Sequence, residues 1–155
     1  YYFYPYYNRW RQSSIAKIPS YKVLIQSSGS KRAVPLLATR GSAQVGTTLT
    51  SEISLAAPNT GAFLCWGYTD KKWAGLGLPI DLAPIGGTGC SILASLDILL
   101  PLQVDKNGYA KSRLTIPIRS ELLGAKAFSQ AVIADQGANQ LGLAFTKAFA
   151  VSIGN

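Results

Sequence analysis

Short apolar segments separated by turn sequences fill the chain from residue 41 onward, and this pattern constrains the fold more than any other feature. Leu49, Ile53 and Leu55 alternate with polar residues in a period of two, which is typical of a strand with one buried face. Turn sequences recur at short intervals, and no long helical period is present. The sequence therefore predicts an all-β domain, an antiparallel β-sandwich of the jelly-roll or immunoglobulin-like kind.

Three segments carry the main strand predictions. Residues 62–66 follow the turn sequence 58–61 and are apolar throughout, which predicts a central strand covered on both sides. Residues 90–104 are predicted as one long strand, because Pro101 would cost a helix interior about 3 kcal/mol. The Asn-Gly pair at 107–108 allows the positive φ angles of a type I′ turn, so we expect the chain to fold back antiparallel after it.

The chain is predicted to divide into an extended arm, residues 1–40, and a sandwich domain, residues 41–155. Seven of the first ten residues are aromatic, and the prolines at positions 5 and 19 favour an extended backbone. Residues 21–26 alternate well enough to form a strand. We therefore expect an extended aromatic and basic arm that contains one strand.

The leading interpretation of the arm is a contact between subunits. A strand at the end of an extended arm can add to the open edge of another subunit's sheet, as in donor-strand complementation. Aromatic residues enrich interfaces, and a contact used head to tail generates a filament. The expected function is that of a non-enzymatic extracellular subunit that self-assembles into a fibre or surface layer. The residues expected at this interface are Tyr1, Tyr2, Phe3, Tyr4, Tyr6, Tyr7, Trp10, Tyr21, Val23 and Ile25.

Other roles remain open for the arm. Tyrosine and tryptophan side chains such as Tyr6, Tyr7 and Trp10 form platforms for sugar rings, which indicates a carbohydrate-binding or adhesive module as the alternative function. Interleaved aromatic and basic residues also bind nucleic acid. The aromatic residues precede the charges, however, and an exported protein lacks the usual partner, so no nucleic-acid partner is expected. Finally, the arm could cover a patch on its own domain.

Basic residues dominate the first third of the chain. The formal net charge is +8, and no acidic residue precedes Glu52. The bases before that position are Arg9, Arg11, Lys17, Lys22, Lys31, Arg32 and Arg40. Such a charge attracts polyanions, so an anionic cell-surface polysaccharide is an additional partner that the sequence favours.

The residue types that carry most enzyme chemistry are missing or dispersed. The chain has no histidine, so it lacks the usual general base and the commonest metal ligand. Its carboxylates are scattered, and Asp81 with Asp97 is the only pair considered for glycoside hydrolysis. Bonding to backbone amides at turns is the favoured role of these aspartates, with calcium held by Asp81, Asp97 or Asp135 as the alternative. We expect no enzyme activity, no catalytic residue, no cofactor and no metal site.

The chain contains two cysteines and no methionine. Because Tyr1 is not an initiator methionine, removal of a signal peptide is the simplest explanation of this chain start. An even number of cysteines then predicts a disulfide between Cys65 and Cys90, with two buried free thiols as the alternative. No apolar run reaches the ~18 residues of a membrane-spanning helix. We therefore expect a secreted or cell-surface protein without a membrane span.

Several short motifs give the region 41–155 a likeness to a known domain. The segments are "LPIDL", "GTGCSILASLD", "DKNG", "LTIP", "FSQAVIAD", "ANQLG" and "VSIG". Together they resemble the carboxy-terminal β-sandwich domain that recurs in secreted proteins of environmental bacteria. The most specific positions are Gly89, Cys90, Asp97, Gln130, Asp135 and the turn 139–142. The resemblance implies export and a β-sandwich fold, and it carries no assigned catalytic residues.

Overall fold

The computed structural model describes residues 21–23 and 33–154 of the chain. Within these ranges the regular structure consists of strands and of 3₁₀ turns at Ala83–Ile85 and Ser120–Leu122, without an α-helix. The strands are β1 (Tyr21–Val23), β2 (Leu36–Arg40), β3 (Thr48–Ser54), β4 (Gly61–Gly67), β5 (Lys72–Trp73), β6 (Leu76–Gly77), β7 (Ile80–Asp81), β8 (Ser91–Ile92), β9 (Ile98–Gln103), β10 (Ala110–Thr115), β11 (Lys126–Ala134), β12 (Leu143–Phe145) and β13 (Phe149–Ser152). The predicted all-β fold is confirmed.

Two antiparallel sheets form the sandwich. The large sheet has the strand order β1-β13-β11-β4-β9, with β12 also pairing with β11, and the small sheet has the order β10-β3-β2. Their facing sides enclose the main core, as in aligned sheet packing. Its largest members are Leu37, Leu49, Ile53, Leu64, Trp66, Val104, Ile116, Ile133, Val151 and Ile153. The predicted antiparallel sandwich is therefore observed.

Strand β3 shows why the period of two in the sequence predicts the fold correctly. Leu49, Ser51 and Ile53 are buried, and the residues between them are half-buried. Burying a Leu or Ile side chain contributes roughly 1.5–3 kcal/mol, and a one-residue shift of register would expose both. Leu55 departs from the pattern, because it lies beyond the strand, is exposed and has a positive φ of 58°.

The predicted type I′ hairpin between β9 and β10 is wrong. Of the Asn-Gly pair only Gly108 has a positive φ, and the Asp105 carboxylate accepts a hydrogen bond from the Asn107 amide at 2.7 Å. The chain does reverse direction, but β9 belongs to the large sheet and β10 to the small sheet. Leu100 of β9 and Leu114 of β10 pack against the same main core, because crossing between the sheets buries the apolar face of both strands.

Residues 90–104 form two strands, β8 and β9, and not the single predicted one. β8 pairs with β7, whereas β9 pairs with β4. Between them the Leu93 amide donates to the Gln130 side chain at 3.1 Å, and the Ser95 amide donates to the Thr69 carbonyl at 2.8 Å. Because these bonds take the backbone away from a sheet ladder, the strand is interrupted although its composition stays apolar.

Residues 68–97, here called the outer segment, lie on the outer face of the large sheet. They contain β5 to β8 and enclose a second, smaller core against β11 and β12. Its buried members are Leu82, Cys90, Ile92 and Phe145, with Trp73, Leu78, Ile80, Leu96, Val132, Leu141 and Leu143 packed around them. The centre of the large sheet is thus covered on both faces, which explains the apolar run in β4.

The described part of the predicted arm joins both sheets of its own chain. β1 pairs with β13 in the large sheet, and β2 pairs with β3 in the small sheet. The predicted arm boundary after residue 40 therefore falls at the end of a sandwich strand. The predicted interface residues from Tyr1 to Trp10, together with Ile25, lie outside the described residues. In the described ranges no helix has the length and apolar character needed to cross a membrane.

Candidate interaction surfaces

The sheet edges are the first candidates for contacts with other molecules, because an edge strand presents unpaired backbone groups. In the described part of the chain the large sheet ends in β1 and β9, and the small sheet ends in β2 and β10. β1 is held through three cross-strand pairs, Tyr21 with Val151, Lys22 with Ala150 and Val23 with Phe149. This strand of the predicted arm therefore fills the β13 edge, with the predicted interface residues Tyr21 and Val23 in register.

The opposite edge of the large sheet is protected by a proline. The Val104 amide donates to the Thr60 carbonyl at 2.8 Å, so by alternation the amides of residues 102 and 100 also face β4 and that of residue 101 faces outward. Position 101 is a proline and has no N–H group. Strand addition at β9 would therefore lack a donor in the middle of the edge.

The outer face of the small sheet is basic. Glu52 is contacted by Arg40 Nε at 3.2 Å, by Lys111 Nζ at 3.9 Å and by the Tyr109 hydroxyl, which donates at 3.1 Å. Arg113 lies on the same face, two register positions from Lys111, and pairs with Thr50 in the ladder. This face thus carries three cationic side chains and one carboxylate, and the carboxylate pairs with Arg40 and Lys111. Arg113 is exposed on the same face, where its charge can attract an anion.

The predicted disulfide between Cys65 and Cys90 is wrong, because both residues are free and buried. Cys65 Sγ donates to the Phe63 carbonyl of its own strand at 3.8 Å, whereas Cys90 Sγ donates to the Leu143 carbonyl at 3.6 Å. Burial raises the pKa of the Cys65 thiol to about 12 and also raises the pKa of Cys90. Both thiols therefore behave as small apolar core residues, the alternative that the sequence left open.

The aspartates considered for catalysis or calcium bind backbone amides at turns. Asp81 accepts from the Ala83 amide at 2.9 Å, and Asp135 accepts from the Gly137 amide at 3.0 Å. Asp97 accepts from the Tyr68 amide at 2.9 Å. This is the favoured role predicted for them. The described residues contain no group of three or more His, Cys, Asp or Glu side chains that could hold a metal ion.

Polar side chains in the interior fasten the outer segment to the large sheet. Gln130 of β11 is buried; its Oε1 accepts from the Leu93 amide at 3.1 Å, and its Nε2 donates to the Ser91 and Thr146 carbonyls at 3.0 and 3.1 Å. A second link runs from Asn139 Nδ2 to Cys90 Sγ, at 3.3 Å. Gln130, Cys90 and Asn139 thus have a structural role. The sequence held no indication of the roles of Gln130 and Asn139 beyond the presence of a polar glutamine inside an apolar strand, and it indicated a disulfide for Cys90.

Two buried polar groups lie opposite each other without a hydrogen-bond partner. Trp66 of β4 pairs in register with Ser129 of β11. Trp66 Nε1 and Ser129 Oγ are both buried and unpaired. An unpaired buried polar group costs about 1–3 kcal/mol, so this position of the core is less stable than its apolar packing alone indicates.

An apolar patch remains uncovered where the outer segment ends. Phe63 of β4 is 47% exposed and Leu99 of β9 is 51% exposed. The ladder pairs Phe63 with Pro101 and Leu99 with Cys65, so the three side chains Phe63, Leu99 and Pro101 share the outer face. We call them the β9 patch. The expectation that residues 62–66 are covered on both sides therefore fails at Phe63, because the outer segment reaches over β11 and β12 and not over this corner.

Comparisons with known proteins add no family assignment. No protein-family model matches the chain, and a search of curated proteins finds no similar sequence.

Proposed function

We propose that this chain is an exported, non-enzymatic structural subunit that assembles head to tail into an extracellular fibre or surface layer through its amino-terminal arm. The observation that carries the proposal is the position of β1, a short strand that is separated from the aromatic residues 1–10 only by residues 11–20 and fills an edge of the large sheet. Residues 24–35 connect β1 to β2 in the small sheet. The contact between β1 and β13 therefore joins residues near the two ends of the given sequence, such as Tyr21 and Val151.

The same contact can be made between two copies. Domain swapping exchanges an identical element between subunits and needs no new surface. Twelve residues, 24–35, connect β1 to β2, and an extended chain of that length spans up to about 40 Å. A β1 strand that leaves its own β13 edge can therefore fill the edge of a neighbour. Repeated in one direction, this exchange does not close and produces a filament.

The aromatic segment supplies the energy that a three-residue strand lacks. Cross-strand pairs contribute roughly 0.2–1 kcal/mol each, so the pairs of β1 alone would not hold two copies together. Buried aromatic anchors contribute about 2 kcal/mol or more each at an interface. Residues 1–10 contain seven aromatic side chains, and burial of a few of them would stabilise the exchanged state.

Size-exclusion chromatography and electron microscopy test this function. The full chain is expected to elute as polymer and to form fibres or sheets, whereas a chain that begins at Ser20 is expected to give shorter particles or monomers. The matched control replaces Arg9 and Arg11 by Lys, which keeps the charge and all seven rings of the segment and should leave assembly unchanged. A full chain that stays monomeric at high concentration would contradict the proposal.

The second candidate is a carbohydrate-binding or adhesive function directed at an anionic cell-surface polysaccharide. The observation that favours it is the outer face of the small sheet, which carries Arg40, Lys111 and Arg113 and where Glu52 pairs with the first two. Retention on an acidic polysaccharide resin, lost near 1 M salt and in Arg40→Ala/Arg113→Ala, would support it. Arg119→Ala, an exposed base outside this face, is the control. If replacement of Tyr6, Tyr7 and Trp10 also abolishes glycan binding, these aromatic side chains form part of the binding site.

A further inference from the structure

The β9 patch is a face for docking and not an edge for strand addition. Phe63, Leu99 and Pro101 present apolar atoms on one side of the large sheet, while the missing N–H of Pro101 weakens backbone pairing along β9. A partner at this corner would therefore lie across the side chains. Aromatic rings suit such a surface, because each buries roughly 150–250 Å² and stacks on other rings in offset or edge-to-face geometry.

We propose that the β9 patch of one copy receives the aromatic residues 1–10 of a second copy, the copy whose β1 fills the β13 edge on the opposite side of the same sheet. The inference rests on the proposed function, and it names the surface to which the segment binds. Two copies would then be joined at both edges of one large sheet, by backbone pairing at β13 and by ring packing at β9.

The place and the length of the arm fit this surface. One row of the large sheet runs Val23, Phe149, Ser129, Trp66 and Ile98 from edge to edge. Tyr21 lies beyond Val23, at the end of the sheet where β9 begins, so the chain enters β1 from that end.

The distance to be crossed is shorter than the segment. The edge strands β1 and β9 are separated by four strand spacings, which is about 19 Å. The twenty residues that precede β1 extend to about 66 Å. The segment can therefore pass around the outer segment and still lay its first ten residues on the patch.

Charge also fits. Asp97 immediately precedes β9 and is exposed, and Asp105 follows β9 and is exposed. Arg9 and Arg11 flank Trp10 at the end of the ring-rich stretch of the arm, and residues 1–10 hold no acidic side chain. Opposite charges that flank an apolar contact fix its orientation more than its strength.

Photocrosslinking of the intact chain tests the proposal. A photoreactive phenylalanine analogue replaces Tyr4, and unlabelled chains are assembled with chains uniformly labelled with ¹⁵N, so that mass spectrometry separates crosslinks between copies from crosslinks within one. We expect crosslinks between copies to peptides that contain residues 61–67 or 98–103. In Phe63→Ser/Leu99→Ser their yield should fall about tenfold, since loss of two apolar anchors costs more than the 1.4 kcal/mol that a factor of ten represents.

The control is Ile118→Ser, which removes a side chain that is 84% exposed elsewhere on the sandwich and should keep the yield. Unchanged unfolding midpoints show that the serine variants fold. Crosslinks between copies to other peptides would overturn the proposed surface while leaving the polymer in place. Crosslinks within single chains would overturn both the second copy as occupant and the exchange on which the proposed function depends.

Discussion

Gln130 in the middle of β11 accepts a hydrogen bond from the Leu93 amide at 3.1 Å, and this contact attaches the outer segment to the sandwich. The same side chain donates to two carbonyls, those of Ser91 and Thr146. A buried amide that satisfies a backbone donor and two acceptors is costly to remove, because its partners are left unpaired. Gln130 is therefore a main polar attachment of the outer segment, beside the Asn139–Cys90 contact and the second core.

Gln130→Ala should lower the free energy of unfolding by about 3 kcal/mol, since three hydrogen bonds are lost in a dry site and a cavity is added. Denaturant titration measures the change. The matched control is Gln103→Ala, because Gln103 bonds the Thr60 carbonyl from an exposed position and should change stability by less than about 0.5 kcal/mol. Equal effects in the two variants would mean that Gln130 does not fasten the outer segment.

Ser129→Ala should leave stability unchanged or raise it by about 1 kcal/mol, because the variant removes a buried hydroxyl that has no partner. Thr146→Val is the contrasting change in the same region. The Thr146 hydroxyl accepts from the Ala131 amide at 2.9 Å and donates to the Lys147 carbonyl at 2.8 Å, so its loss should cost about 1–3 kcal/mol. Chemical unfolding compares the two, and a Ser129→Ala variant that loses more than Thr146→Val would reveal an additional partner of Ser129.

The turn between β5 and β6 holds a residue in an unfavourable backbone conformation. Ala74 has a φ of 49° and Gly75 a φ of 81°, and positive φ angles at both positions define a turn that prefers Asn-Gly. Ala74→Asn should therefore stabilise the protein by about 0.5–1 kcal/mol. Gly75→Ala should destabilise it by about 1 kcal/mol through backbone strain alone, since a Cβ there meets no other atom within 4 Å. Thermal unfolding that shows the same sign for both variants would contradict this description of the turn.

The buried thiol of Cys65 makes stability depend on alkaline pH. Its pKa rises from the usual 9.0 to about 12 in the folded protein because burial disfavours the thiolate. Above pH 9 the unfolded chain loses this proton while the folded chain keeps it. The contribution of Cys65 to the free energy of unfolding is therefore complete below pH 9 and declines between about pH 9 and 12, by about 1.4 kcal/mol per pH unit.

Unfolding measured at intervals between pH 8 and pH 11 tests this dependence. Cys65→Ala should show a shallower decline than the unaltered chain, because the other titrating groups are common to both. Parallel curves would mean that the thiol is not buried. A count of two reactive thiols on unfolding without reductant would confirm that Cys65 and Cys90 are free.

The sequence predicted the sandwich because the signal for each strand is local. Leu49 and Ile53 alternate with polar residues, and that period survives because any other register would expose both. Residues 62–66 were likewise predicted as strand and lie within β4. These elements depend on near neighbours in the chain, which the sequence displays directly.

The errors arise where distant residues decide. The Gln130 side chain bonds the Leu93 amide, thirty-seven positions away in the chain, and this bond interrupts the predicted strand. The pattern of apolar residues in a sequence cannot show a hydrogen bond between residues so far apart. The chain reverses direction at the Asn-Gly pair as expected. The sheet that β10 joins is set by burial of its apolar face in the main core, which involves residues distant in the sequence. The disulfide prediction fails for a related reason. An even number of cysteines suggested a pair, but the Cys65 and Cys90 thiols are buried in different places and bond different carbonyls.

The candidate surfaces were predictable in part. The aromatic run and the strand at 21–26 are visible in the sequence, and the described part of that strand, Tyr21–Val23, is observed. Exposure of Phe63 was not predictable, because a run of apolar residues does not show where its cover ends. The basic face of the small sheet requires the ladder that brings Arg40, Glu52 and Lys111 side by side.

A cysteine pair placed across β1 and β13 gives the most direct test of exchange between copies. Lys22 and Ala150 are register partners, so Lys22→Cys/Ala150→Cys places two thiols opposite each other wherever that contact forms. Arg40→Cys/Thr50→Cys, a pair inside the small sheet, should give monomers with an internal bridge and serves as the control. After mild oxidation and electrophoresis without reductant, the account predicts a ladder of covalent oligomers for the first pair, and internally bridged monomers alone would contradict it.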